Sequence, residues 1–330
     1  MVGTRQVGRA RAWRRIATAA MTAAMIVPAT GCASVSSGAG SLPLEETTIV
    51  VGAVPAVDTA GLYIAQQRGY FAAEGLRVKI VPIVSSELAI SRQLAGTYDI
   101  TFGGYISYIQ ADAEQGADLR IIAEGSVMGP NEQGLLTMPR SPITAVSGLK
   151  GATIALNAVN NVGKILVGSA LESAGLRLST VKFVPIPFQD MPSALKDHAV
   201  DAAWMPEPFL SATEESLGTP DISDLDEGPV TGFPLVGYAA TAAWERRNPN
   251  TEAAFLRALE EGQEQADTDR AAVEQAMVTF IGISRVTAAV MAPPEYPVGG
   301  VDPVRIQRVA DAMYAFGMLK QPFNVDKIVS

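Results

Sequence analysis

Gly75-Leu76-Arg77-Val78-Lys79-Ile80-Val81-Pro82-Ile83 decides the fold, because its frame recurs later in the chain as Gly175-Leu176-Arg177 leading to Val184-Pro185-Ile186. In each copy a glycine turns the chain into a run rich in β-branched residues, the pattern of a strand. Working outward, Thr48–Ala53 reads as a strand and about Thr59–Arg68 as a helix stopped by Gly69. After the first copy a helix runs from about Glu87 to Ala95, and Asp99 opens a strand over Ile100–Phe102. The second copy has the same neighbours: a strand at Ala152–Leu156, a helix from about Asn161 to Ser173, a short helix reaching Lys196, and Asp201 opening a strand that ends in Trp204. Glycine to aspartate spans 24 residues in the first unit and 26 in the second. A βαβαβ unit used twice predicts an α/β protein of two lobes, each a mostly parallel sheet flanked by helices.

Two extended runs, Gln133–Met138 and Phe233–Thr241, bracket the second unit and read as crossovers between lobes. The chain from Ala242 onward is helical in pattern, over Thr251–Asp267, Arg270–Phe280, Ser284–Ala292 and Asp302–Phe316, and is expected to pack back on the first lobe. The division that follows is 47–130 with 242–330 as lobe 1, 139–232 as lobe 2, and hinge crossovers at 131–138 and 233–241.

The N-terminus reads as an address. Five arginines (Arg5, Arg9, Arg11, Arg14, Arg15) precede an uncharged run from Ile16 to Ala29. That run is too short for an ordinary membrane span but suits a signal-peptide core. It ends in Ala29-Thr30-Gly31-Cys32, which resembles a bacterial lipobox with Ala29 where leucine is usual. The expectation is a signal peptide at 1–31, lipidation at Cys32 and a flexible tether over 32–46, rich in small residues from Ala33 to Ser41. The body would stand at the extracytoplasmic face of the cell membrane, held only by its lipid, as a monomer. Arg14-Arg15 also resembles a twin-arginine signal, so the export route stays open.

Composition excludes several classes. With 330 residues, 48% hydrophobic and 18% charged, the chain is long and apolar enough for two cores and is neither disordered nor fibrous. From Cys32 onward 20 basic side chains face 34 acidic ones, which argues against a nucleic-acid partner or a basic membrane-binding face. One cysteine rules out an internal disulfide, one histidine leaves little for zinc, and neither metal nor cofactor is expected.

In open parallel sheets, ligands bind beyond the C-terminal strand ends, where helix N-termini present unpaired N–H groups. That rule selects Val54–Asp58, Val84–Ser86 and Gly103–Tyr105 in lobe 1, and Asn157–Asn161, Phe188–Asp190 and Met205–Pro208 in lobe 2. The candidate ligand-binding residues are Asp58, Ser85, Ser86, Gly103, Gly104, Tyr105, Asn157, Asn160, Asn161, Asp190, Trp204 and Glu207. Gly103-Gly104 would let backbone approach a solute closely. Ser85, Ser86 and the asparagines serve equally well as helix caps. Trp204 fits lobe core as well as a stacking platform, and Glu207 fits a helix start as well as a ligand contact. No lysine or arginine occurs in the six segments, although Arg92 and Lys164 lie nearby on helices. The three carboxylates point to a solute with a hydrogen-bond donor, such as an amino-sulfonate zwitterion or a pyrimidine-like ring.

Three stretches carry a family resemblance: Leu62-Tyr63-Ile64-Ala65-Gln66-Gln67-Arg68-Gly69-Tyr70-Phe71-Ala72-Ala73-Glu74-Gly75-Leu76-Arg77-Val78, Asn157-Ala158-Val159-Asn160-Asn161-Val162-Gly163, and Asp201-Ala202-Ala203-Trp204-Met205-Pro206-Glu207-Pro208-Phe209. They resemble the ABC-transporter substrate-binding proteins for nitrate, sulfonates, taurine and thiamine precursors, over about residues 47–245. The resemblance implies the type II periplasmic-binding-protein fold. It also implies a binding protein that closes on a small polar solute and delivers it to an ABC permease with its ATPase. Asp197-His198-Ala199 departs from the family's glycine turn there, and His198 reads as a surface residue. A binding protein that signals to a sensor is an alternative reading. An enzyme resembling the pyrimidine-precursor synthases is another, but those, as the resemblance has it, need a pocket histidine and a cysteine-rich iron motif. The chain has one of each residue, both placed elsewhere, and is read as a non-enzyme.

Overall fold

The computed structural model describes residues 43–330. The expected signal peptide, the expected lipidation site Cys32 and most of the expected tether lie outside the described residues. Residues 43–46, assigned above to the tether, are instead tied to the body. The Glu45 carboxylate accepts from the backbone N–H groups of Asn250 and Thr251, and Glu46 exchanges hydrogen bonds with the Thr251 hydroxyl.

Among the described residues, ten strands form two sheets of five. They are β1 (Thr48–Ala53), β2 (Arg77–Pro82), β3 (Ile100–Gly104), β4 (Leu119–Val127), β5 (Gln133–Thr137), β6 (Thr153–Leu156), β7 (Lys182–Pro185), β8 (Ala202–Pro206), β9 (Asp221–Asp224) and β10 (Pro234–Thr241). The helices of the first half are α1 (Ala60–Arg68), α2 (Tyr70–Ala73), α3 (Ser86–Leu94), α4 (Tyr105–Gln115), α5 (Val162–Ser173), α6 (Met191–Lys196) and α7 (Phe209–Leu217). Those of the C-terminal segment are α8 (Ala242–Arg247), α9 (Pro249–Thr268), α10 (Arg270–Ala276), α11 (Arg285–Val290) and α12 (Pro303–Ala315). No described helix is long and apolar enough to cross a membrane.

The first sheet has the order β2-β1-β3-β10-β4 and the second β7-β6-β8-β5-β9. The βαβαβ units supply the parallel part of each, with β1 beside β2 and β3, and β6 beside β7 and β8. Gly75 and Gly175 carry the turns into β2 and β7 at φ 78° and 76°, a backbone region that favours glycine. This is the physical basis of the repeated sequence frame.

The two runs read as crossovers are strands inside the sheets. β5 lies antiparallel between β8 and β9, and β10 antiparallel between β3 and β4. The chain passes between sheets at 128–132 and again between β9 and β10. The first sheet thus takes β10 from beyond the second crossover, while the second sheet is built from the continuous run β5 to β9.

The C-terminal segment packs mainly on the first sheet, where Phe255 of α9 stacks on Phe71 and Ala254, Ala258 and Leu259 join the β1–β3 core. It does not stop there. α12 buries Ile306, Val309, Ala310 and Met313, the i, i+3, i+4, i+7 stripe of an amphipathic helix. Those residues share one apolar cluster with Tyr108 and Ile109 of α4 and with Ile154 and Ile165 on the second sheet's side. Phe316, just beyond α12, packs against Gly168 of α5. The tail therefore packs on the first sheet, where it was expected, and through α12 and Phe316 also touches the second half.

Candidate functional site

A cleft of about 470 Å³ opens where the strand ends of the two sheets face one another. Its first wall comes from Val54, Ala56 and Asp58 after β1, Val84–Glu87 after β2, and Phe102–Gly104, Ile106 and Ser107 at the end of β3 and the start of α4. The second comes from Asn157, Ala158, Asn161 and Val162 after β6, Pro187–Gln189 after β7, and Trp204 and Pro206 on β8. Gln133 of β5 and Leu235 and Val236 of β10 complete it.

Eight expected residues line this cleft: Asp58, Ser85, Ser86, Gly103, Gly104, Asn157, Asn161 and Trp204. Several are engaged with the chain itself. Ser85 Oγ caps α3 by accepting from Leu88 N at 3.3 Å, and Ser86 Oγ accepts from Gly104 N at 3.1 Å. Asn161 caps α5 through Gly163 N and donates to the Asn157 side chain. The capping roles and the cleft positions coincide, because a strand-end loop that starts a helix must satisfy that helix's first N–H groups.

Four expected residues do not line the cleft. Tyr105 is the first residue of α4, which begins directly after β3, and its ring turns inward against Gly237 with no exposure. Asn160 is exposed on the β6–α5 loop. Asp190 is exposed at the head of α6, and Gln189 takes the lining position. Glu207 is buried, and its carboxylate accepts from Ser211 Oγ at 2.6 Å, Ser211 N at 3.2 Å and Ala292 N at 3.2 Å. It serves the first turn of α7 and joins the C-terminal segment to β8, the helix-start reading. Neither Arg92 nor Lys164 lines the cleft; Arg92 donates to the Tyr98 hydroxyl. His198 is exposed at the end of α6.

Trp204 is only 2% exposed. Its Nε1 donates to Gln133 Oε1 at 3.0 Å, and Phe188 meets its ring edge-on at 5.2 Å. Gly163 leaves room for the ring to lie against α5, where a Cβ would overlap it. Gln133 was not anticipated as a site residue, having been read as part of a crossover. Its amide holds Trp204 on one side and faces the buried Glu132 carboxylate at 3.4 Å on the other.

The electrostatics are acidic. Burial pushes Asp58 above the ordinary carboxylate range, opposed by the Ser126 hydroxyl, which donates to Oδ1 at 2.5 Å. Burial and the neighbouring Asp58 charge hold Glu132 well above that range. Glu87, the other lining carboxylate, is exposed and accepts from Ser107 Oγ at 2.9 Å. The lining holds hydroxyls, amides, three aromatic rings and two carboxylates, and no lysine or arginine.

Two mixed sheets with helices on both faces and a cleft at the facing strand ends define a two-lobed binding-protein fold of the periplasmic type. The chain belongs to the NMT1/THI5-like family, whose model matches residues 56–270. Solved structures agree on the fold. The periplasmic aliphatic sulphonate binding protein SsuA from Escherichia coli aligns at TM-score 0.73 and 19% identity, covering 86% of this chain and 92% of that one. The periplasmic nitrate-binding protein NrtA from Synechocystis PCC 6803 aligns at TM-score 0.74 and 16% identity, covering 87% of each. The desulfurization enzyme DSZB shares the fold at TM-score 0.67 and 17% identity, covering 86% of this chain and 96% of that one. No curated protein sequence matches the chain.

Proposed function

We propose that this protein is an extracytoplasmic solute-binding protein, which captures a small polar solute between its two sheets and hands it to an ABC importer. One observation carries the reading: the cleft draws its lining from equivalent strand ends of both βαβαβ units, so a solute seated there touches both halves at once. The segments joining the sheets, 128–132 and 225–233, act as the hinge, and closure presents the solute-loaded form to a permease and its ATPase. The family supports a binding role, and so do the fold-mates named for sulphonate and nitrate binding. A non-enzyme is favoured over a DSZB-like reading by the placement of the chain's single histidine on an exposed helix end.

The lipobox-like Ala29-Thr30-Gly31-Cys32 supports a protein anchored by lipid at Cys32. Cys32→Ser is expected to move the protein from the membrane fraction to the soluble one; retention in the membrane overturns the anchor.

A thermal-shift panel of taurine, an alkanesulfonate, nitrate and an aminopyrimidine tests the function. A solute that binds only the folded chain raises its melting temperature in proportion to the logarithm of concentration over Kd. At least one member is expected to raise it by several degrees, about what a free energy of 2–3 kcal/mol gives. No shift from any member at millimolar concentration contradicts the proposal.

A further inference from the structure

We propose that the solute presents a flat, positively charged N–H donor to Asp58, so that this cleft selects a small organic cation over an anion of the same shape. The inference rests on the solute-binding reading above and names the class of solute.

Asp58 lines the cleft yet is only 8% exposed. Its carboxylate is met by one other side chain, the Ser126 hydroxyl on Oδ1, and no described lysine, arginine or histidine pairs with it. A desolvated carboxylate in this state gains most from a donor that brings its own positive charge. Glu132, fully buried close by, is faced only by the neutral Gln133 amide and offers Asp58 no positive partner.

Part of what would favour an anion is already engaged. The N-termini of α3 and α5 are capped by Ser85 and Asn161. In the first turn of α4, Ser107 donates to the Glu87 carboxylate, which places the chain's own anion at that end. Phe102 lines the cleft on the same wall as Asp58, and Phe188 and Trp204 line the wall across from it. Aromatic faces attract a cation and stack on a flat body, whereas they offer an anion nothing.

Benzamidine, benzamide and benzoate have nearly one shape and carry positive, neutral and negative charge. Calorimetric titration of each into the full chain is expected to rank them in that order, with benzamidine about 10- to 100-fold tighter than benzoate, the range of a charge-assisted hydrogen bond. In Asp58→Asn the preference for benzamidine over benzamide should disappear, while the variant keeps the parent's circular dichroism. If benzoate, nitrate or benzenesulfonate binds the parent as tightly as benzamidine, the cation proposal falls and the solute-binding reading stands. If none of these probes and none of the thermal-shift panel binds, both fall. An unchanged ranking in folded Asp58→Asn overturns the role of Asp58. The parent's ranking decides the charge preference even if that variant does not fold.

Discussion

Glu207 stands at the end of β8, where strand-end geometry puts ligand-facing residues, yet its carboxylate turns into the protein. The first-turn donors of α7 and the Ala292 N–H are there to receive it, and a buried carboxylate seeks such donors. Glu207→Ala is therefore expected to lower stability by about 1–3 kcal/mol, the cost of orphaning buried partners, and to leave solute affinity within about two-fold. Gln133→Leu should do the opposite to affinity. It frees Trp204 Nε1 from its acceptor and should weaken binding about 3- to 10-fold. Thermal melts and calorimetry on the two variants check this contrast. Asp58, Ser86, Asn157 and Trp204 are legible as cleft residues because the first three follow, and Trp204 lies within, a strand whose end is marked in sequence. Gln133 was not, because a short extended run gives no sign of which sheet it joins. Tyr105 was misplaced because nothing local marks α4 as starting without a loop, and that start turns the ring inward.

At the scale of elements, the repeated units and their turns are legible almost residue by residue and the start of α7 is marked at Glu207, while α4, β4 and β9 are not legible. The legible elements carry glycine punctuation and β-branched runs; the others are fixed by what they pack against, as α4 is by α12. α9 holds a carboxylate that reports on its own burial. Glu252 lies in the helix's first turn, 9% exposed, and its Oε2 has no hydrogen-bond partner. Burial, with Glu245 adding repulsion, raises its pKa from 4.5 to about 7. The unfolded chain ionises this group first, so its contribution to stability falls as pH rises from 4.5 through about 7 and stays lost above. Glu252→Gln removes that loss. The variant is expected to exceed the parent at pH 8 by on the order of 2 kcal/mol, allowing for partial solvent screening. The gain should shrink toward zero near pH 4.5. Denaturant titrations at the two pH values check it, and a gain equal at both would contradict the assignment.

Across the whole molecule, two crossovers and one shared helix set how the sheets can move. Arg308 of α12 donates to the carbonyls of Thr231 and Gly232 on the second crossover, while the same helix shares an apolar cluster with both halves. Solute should draw the sheets together about these segments, seen as a smaller radius of gyration in X-ray scattering with saturating solute. An unchanged radius at saturation would count against closure. The position of the solute is read from a crystal structure with the strongest binder from the panels. The predicted result is a solute in simultaneous contact with residues of the first half, Asp58 and Ser86 among them, and of the second, Asn157 and Trp204 among them. A solute bound outside this cleft, or touching one sheet's residues alone, would contradict it.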